Sequence, residues 1–233
     1  MKNTEIIFVI DKSGSMMNLA GDTIGGFNGF VASQKALEGK ATLTTVLFDS
    51  TYRTIHNNVD INEVKPLTSA DYVPGGMTAM LDAIGDTINN VQNRHDDLGV
   101  EKPEKVLFVI TTDGEENSSH KYTKSQIEKM IKHQTNGHGW EFMFLGANMD
   151  AVNEAAGIGI KADRAVDYTY SPMGTEALYS TVDCVTKAIR CDGLCSDFNL
   201  SSAYATTLEG TNADALKVAT SATDATIATI NAL

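Results

Sequence analysis

Two unbroken apolar runs, IIFVI at 6–10 and VLFVI at 106–110, constrain this chain more than any other feature. Both are rich in β-branched residues and contain no polar position. Such a run reads as a strand covered on both faces. Each opens directly into a loop of acids, hydroxyls and glycine: Asp11-Lys12-Ser13-Gly14-Ser15 after the first, Thr111-Thr112-Asp113-Gly114 after the second.

Around these runs, strand-like and helix-like segments alternate over about 190 residues. Phe27, Phe30, Val31 and Leu37 recur at helical spacing. That helix is expected to begin after Gly25 and Gly26, each of which costs about 1 kcal/mol inside a helix. Residues 41–48 (ATLTTVLF) and 51–61 (TYRTIHNNVDI) read as strands. The short Asp49-Ser50 connection makes them a hairpin, so the third strand runs antiparallel at an edge. Met80, Leu81, Ile84, Ile88 and Val91 mark a second helix, and Ile127, Met130 and Ile131 a third. Residues 140–145 and 165–168 read as strands, and Leu178, Val182, Val185 and Ile189 as a last amphipathic helix. This alternation specifies an α/β, doubly wound, Rossmann-like sheet with helices on both faces. The expected strand order is 3-2-1-4-5-6, mostly parallel, with right-handed crossovers.

Residues 1–192 are assigned to this domain. Residues 193–233 form an Ala/Thr-rich extension, expected to be flexible or partner-dependent because threonine weakens helices. A net charge of -12 and a pI near 4.7 argue against nucleic acid as a partner. The N-terminal apolar run is too short for a signal-peptide core, and nothing approaches the ~18 apolar residues of a membrane span. The three cysteines, Cys184, Cys191 and Cys195, lack a fourth zinc ligand at a recognisable spacing. They read as reduced thiols, with a cytoplasmic location expected and a virion-associated one left open.

In a doubly wound sheet, loops at the carboxyl ends of the strands gather on one edge, and ligands bind where the strand order reverses. Strands 1 and 4 flank that reversal, which places Asp11 and Asp113 facing one another across the crevice. The Pro74-Gly75-Gly76-Met77-Thr78 loop opens the second helix between them. Two carboxylates (Asp11, Asp113) and three hydroxyls (Ser13, Ser15, Thr78) then surround one point. Two carboxylates this close repel unless a cation or a shared proton compensates. Oxygen donors alone suit a hard cation such as Mg2+, with Mn2+ or Ca2+ as alternatives, and the absence of His and Cys disfavours zinc. The competing structural reading makes Ser13 and Thr78 helix caps and Asp113-Gly114 a turn.

The segments DKSGSM, GGMT and TTDG resemble the metal-ion-dependent adhesion site of the von Willebrand factor type A domain family. The resemblance extends in element order over about residues 3–190 and includes the antiparallel edge strand. It implies that Asp11, Ser13 and Ser15 form a first ligand loop, Thr78 a second and Asp113 a third. It further implies a non-enzymatic protein-binding module whose ion takes an Asp or Glu carboxylate from a partner protein. The compact format is similar to stand-alone members in bacteria and phages. Two other functions compete. One is an assembly component in which the ion only stabilises the fold and the extension oligomerises. The other is Mg2+-dependent phosphoryl transfer with Asp11 as nucleophile, against which the residue two positions later is Ser13 and not a second carboxylate.

Several other residues invite a role. Asp82, one turn after Thr78, is a candidate to orient that hydroxyl or to serve the helix dipole. Glu115, Glu116 and Asn117 rim the site or form a solvated face. Asp49 serves its hairpin turn, and Gly137 or Gly139 terminates the helix carrying His133 and His138.

Overall fold

The two apolar runs lie side by side at the centre of the sheet. The computed structural model describes residues 1–191, 193–210 and 212–220. Strand β1 (Thr4–Asp11) pairs in parallel with β2 (Ala41–Phe48) on one side and β4 (Lys105–Thr112) on the other. Beyond β2 lies β3 (Tyr52–Asp60), antiparallel. Beyond β4 lie β5 (Glu141–Ala147) and β6 (Ala165–Tyr168), both parallel. The order is β3-β2-β1-β4-β5-β6, as expected from the alternation.

Strand alternation explains why β1 tolerates no polar residue between Ile6 and Ile10. Ile6, Phe8 and Ile10 enter one core and Ile7 and Val9 the other. The first core lies under α1 (Ala20–Lys35) and α5 (Pro172–Cys191), through Phe27, Phe30, Leu178 and Val182. The second lies under α2 (Met80–Leu98), α3 (Lys124–His138) and α4 (Ala151–Gly157), through Ile84, Ile88, Ile127 and Ala155. Helix α3 starts with a capping box between Thr123 and Gln126 and stops at left-handed Gly139.

Helix α1 departs from expectation. It begins at Ala20, after a 3-10 turn over Gly14–Leu19, and runs through Gly25 and Gly26. The reason is packing: a Cβ at Gly26 would stand 2.3 Å from the Tyr179 ring. Glycine here lets α1 and α5 approach closely, and that contact outweighs its poor helix propensity.

Part of the 193–233 extension packs on the domain. Helices α6 (Leu200–Leu208) and α7 (Asn212–Thr220) bring Leu200, Ala203, Tyr204, Leu216 and Ala219 into the first core, beside Phe198. Residues 221–233 lie outside the described residues. No described helix is long and apolar enough to cross a membrane.

Candidate metal centre

All five candidate residues lie on three loops at the carboxyl edge of the sheet. Asp11 ends β1 and is fully buried. One carboxylate oxygen accepts the backbone N–H of Ser13 at 2.6 Å, which curls the chain into the first loop. The other accepts the hydroxyl of Thr112 at 2.6 Å. Ser13 Oγ lies 3.1 Å from Ser15 Oγ, and Ser15 Oγ donates to Asp113 Oδ1 at 2.6 Å. Thr78 is buried at the same place: its Oγ1 and that of Ser15 stand 3.7 and 3.9 Å from where a Cβ on Gly114 would sit. A Cβ at 114 would be in ordinary van der Waals contact with both hydroxyls, which places Gly114 beside them.

The hydroxyls are not spent on capping. Ser13 precedes the 3-10 turn but its side chain makes no cap hydrogen bond. The N-cap of α2 is Ala79 and not Thr78. Both observations remove the competing structural reading for those two positions.

Backbone bonds hold the loops in register. Gly14 N–H donates to Gly76 O at 3.2 Å and Gly75 N–H to Lys12 O at 2.8 Å. Gly76 has φ +73, a left-handed conformation, and Ser50 Oγ lies 2.8 Å from its missing Cβ, so both backbone and space require glycine. The Tyr72 hydroxyl donates to the carbonyl of Asp11, and that of Tyr170 to the carbonyl of Ser15 at 2.6 Å.

Asp11 and Asp113 are not directly opposed, contrary to the expected arrangement. Ile10 pairs with Thr111, so the residue facing Asp11 is Thr112, and Asp113 reaches the cluster through Ser15. Aligning the two apolar runs residue for residue would pair Ile10 with Ile110 and Asp11 with Thr111, one residue short of the observed register, so the sequence carried no signal for Thr112. Asn117, expected at the rim of the site or on a solvated face, is tied to the backbone of Thr78. Its Oδ1 accepts the N–H of Thr78 at 2.9 Å, and its own N–H donates to Thr78 O at 3.1 Å. Glu116 accepts the backbone N–H groups of Leu81, Ser118 and Ser119. Asp82 accepts those of His120, Lys121 and Tyr122, so it shapes the following loop and does not orient Thr78. Asp49 serves its turn through Thr51 and also ion-pairs with Lys12.

Among the described residues no cationic side chain forms an ion pair with Asp11 or Asp113. Burial raises Asp11 from the ordinary aspartate value of 3.8 to about 6, against the lowering effect of Thr112 and Ser13, and the Asp113 charge adds to the rise. Burial also raises Asp113, opposed by the Ser15 hydroxyl. Lys12 is turned to Asp49. Among the described residues no group of three or more carboxylate, imidazole or thiol side chains is placed to hold a metal. The set here has two carboxylates and completes itself with hydroxyls, a donor set of hard oxygens that fits Mg2+ or Ca2+ better than zinc.

No protein-family model matches the chain, and no curated protein matches it in sequence. Solved structures do match. The von Willebrand factor domain of the type V pili tip protein Mfa5 from Porphyromonas gingivalis superposes with a TM-score of 0.58 at 12% identity, over 84% of this chain and 99% of that one. The fold is that of von Willebrand factor type A domains. The PilB minor pilin from Streptococcus sanguinis matches at TM-score 0.56 and 11% identity, over 78% of this chain and 60% of the pilin. Proximal thread matrix protein 1 of the mussel byssus, solved with a zinc-occupied metal-ion-dependent adhesion site, matches at TM-score 0.55 and 16% identity, over 78% of this chain and 45% of that one. This chain thus spans 60% of the pilin and 45% of the byssus protein, less than two thirds of either, and the likeness is one of fold.

Proposed function

We propose that this chain is a non-enzymatic, divalent-metal-dependent protein-binding module. Asp11, Ser13, Ser15, Thr78 and Asp113 hold the ion, Mg2+ by preference, and the carboxylate of an Asp or Glu on a partner protein completes its coordination. The observation that carries this reading is the cluster itself: two buried carboxylates linked through hydroxyls, with no cationic side chain among the described residues paired to them. A bound divalent ion supplies that charge and remains electron-poor, because three of its five protein ligands are neutral.

Adhesion proteins among the structural neighbours, and the metal in the byssus protein, are consistent with this reading at the level of fold. The phosphoryl-transfer reading is disfavoured by Ser13, which stands where an acid/base carboxylate would be needed and uses its backbone to fix Asp11. A cytoplasmic setting stays the proposal, and the pilus proteins among the neighbours make a surface setting the alternative. Cell fractionation with an antibody to the chain decides between them.

Calorimetric titration of Mg2+ and Mn2+ into chelator-treated protein is the test, with Asp11→Ala and Asp113→Ala alongside. Saturable heat in the wild type and none in the variants is expected. Identical traces from all three would refute the metal site.

A further inference from the structure

Exposed apolar side chains stand on the loops around the cluster, among polar ones such as Asn18 and Glu115, although the chain as a whole is strongly acidic. Among the described residues eight large hydrophobic side chains are exposed, and four of them sit on the loops that build this one edge. Met17 is 65% exposed, Val73 60%, Met77 55% and Met173 64%. Each has a fixed relation to the cluster. Met17 follows Ser15 by two residues on the 3-10 turn, whose other large side chains, Met16 and Leu19, point into the core. Met77 adjoins Thr78. Val73 follows Tyr72, whose hydroxyl holds the Asp11 carbonyl. Met173 opens α5 three residues after Tyr170, whose hydroxyl holds the Ser15 carbonyl.

The fold does not require these exposures. Neighbouring residues in the same loops do the packing, while Met17, Val73, Met77 and Met173 face outward from three separate segments. Exposed apolar side chains gathered at one edge of a strongly charged protein point to an interaction surface. Methionine suits such a surface because its flexible, polarisable side chain adapts to varied partners. The nearby Lys12 is paired with Asp49, so an incoming carboxylate would rely on the metal ion and not on this lysine.

Resting on the metal reading above, we infer that the partner element recognised here is an Asp or Glu flanked by apolar side chains. Its carboxylate meets the ion, and its apolar neighbours are covered by Met17, Val73, Met77 and Met173. The ion selects the acid and the rim selects its sequence context.

Selection of displayed random peptides with a fixed central Glu on the full chain, in Mg2+ and in chelator, tests this. A library with central Gln serves as the control. Expected is enrichment of Leu, Ile, Val, Met or Phe beside the Glu, in Mg2+ alone. An enriched peptide made synthetically should then bind the combined Met17→Ser, Met77→Ser, Met173→Ser variant about tenfold or more weakly, the loss of roughly one well-buried apolar side chain. Calorimetry should show that variant binding Mg2+ as the wild type does. Polar or basic flanks, no enrichment at all, or equal affinity for the variant would overturn the inference while leaving an Mg2+-binding site standing. Absence of Mg2+ binding in the wild type would remove the metal reading and this inference with it.

Discussion

Strand β1 buries a carboxylate near each end, and the two are treated in opposite ways. Glu5 is fully buried and meets the guanidinium of Arg94, His95 Nε2 at 2.8 Å and the Thr44 hydroxyl at 3.0 Å. Asp11 is equally buried and meets an amide and a hydroxyl, with a second carboxylate close by. Helix α2 serves both ends. Near its carboxyl terminus it delivers Arg94 and His95, and beyond its amino terminus it delivers the neutral Thr78. A buried charge without a partner is costly, so an internal counter-ion at one end and none at the other separates scaffold from site. The chain closes the first position and, on the function proposed above, leaves the second for an external cation.

The contrast can be broken most forcefully at Glu5. Glu5→Gln leaves Arg94 and His95 without their carboxylate, and removing one partner of a buried pair costs about 3–5 kcal/mol. Urea denaturation should show that loss equally in Mg2+ and in chelator. A loss that Mg2+ restores would mean the two ends are not separate.

At Asp11 the sign reverses. Its folded-state value near 6 lies above the ordinary 3.8, so its contribution to stability is full below pH 4 and is lost as pH rises through 6. A rise of about two pH units corresponds to about 3 kcal/mol. In chelator, Asp11→Asn should therefore be more stable than the wild type at pH 7.5 and lose that advantage near pH 4. Thr112 can turn its hydroxyl to Gly114 O, 2.9 Å away, and accept from the new amide. Denaturation at the two pH values checks the expectation, and an Asn variant weaker than wild type at pH 7.5 contradicts it.

Mg2+ sharpens the same comparison. An ion at a hundred times its Kd should stabilise the wild type by about 2.7 kcal/mol. The gain should persist in Glu5→Gln and vanish in Asp113→Asn, as thermal melts with and without the ion can read. The smallest effect is expected at Asn117, whose side chain fixes the Thr78 backbone. Asn117→Ala should cost about 1 kcal/mol of stability, the net value of one hydrogen bond. It should also weaken Mg2+ binding. Unchanged Mg2+ affinity would show that Thr78 is held well enough by its other contacts.

Much of this was legible in the chain itself. The runs at 6–10 and 106–110 are continuous because both sheet faces are covered, and that demand alone places them centrally. The short Asp49-Ser50 turn forces β3 antiparallel. Once the strand order follows, loops distant in sequence fall on one edge, and Asp11, Ser13, Ser15, Thr78 and Asp113 follow with them. Gly26 was misjudged because helix propensity is local, whereas its reason for being glycine is the Tyr179 ring, 153 positions further along.

Periodicity, turn chemistry and the strand-end loops were thus determined by the sequence alone, because each depends on residues close together in the chain. Tertiary structure decided which side chains meet: Thr112 rather than Asp113 opposite Asp11, Asn117 behind Thr78, Arg94 and His95 on Glu5, and α6 and α7 against α5. Those pairings depend on register and on the angle at which helices cross the sheet. Both are set by the packing of the whole core, which no local stretch of residues encodes.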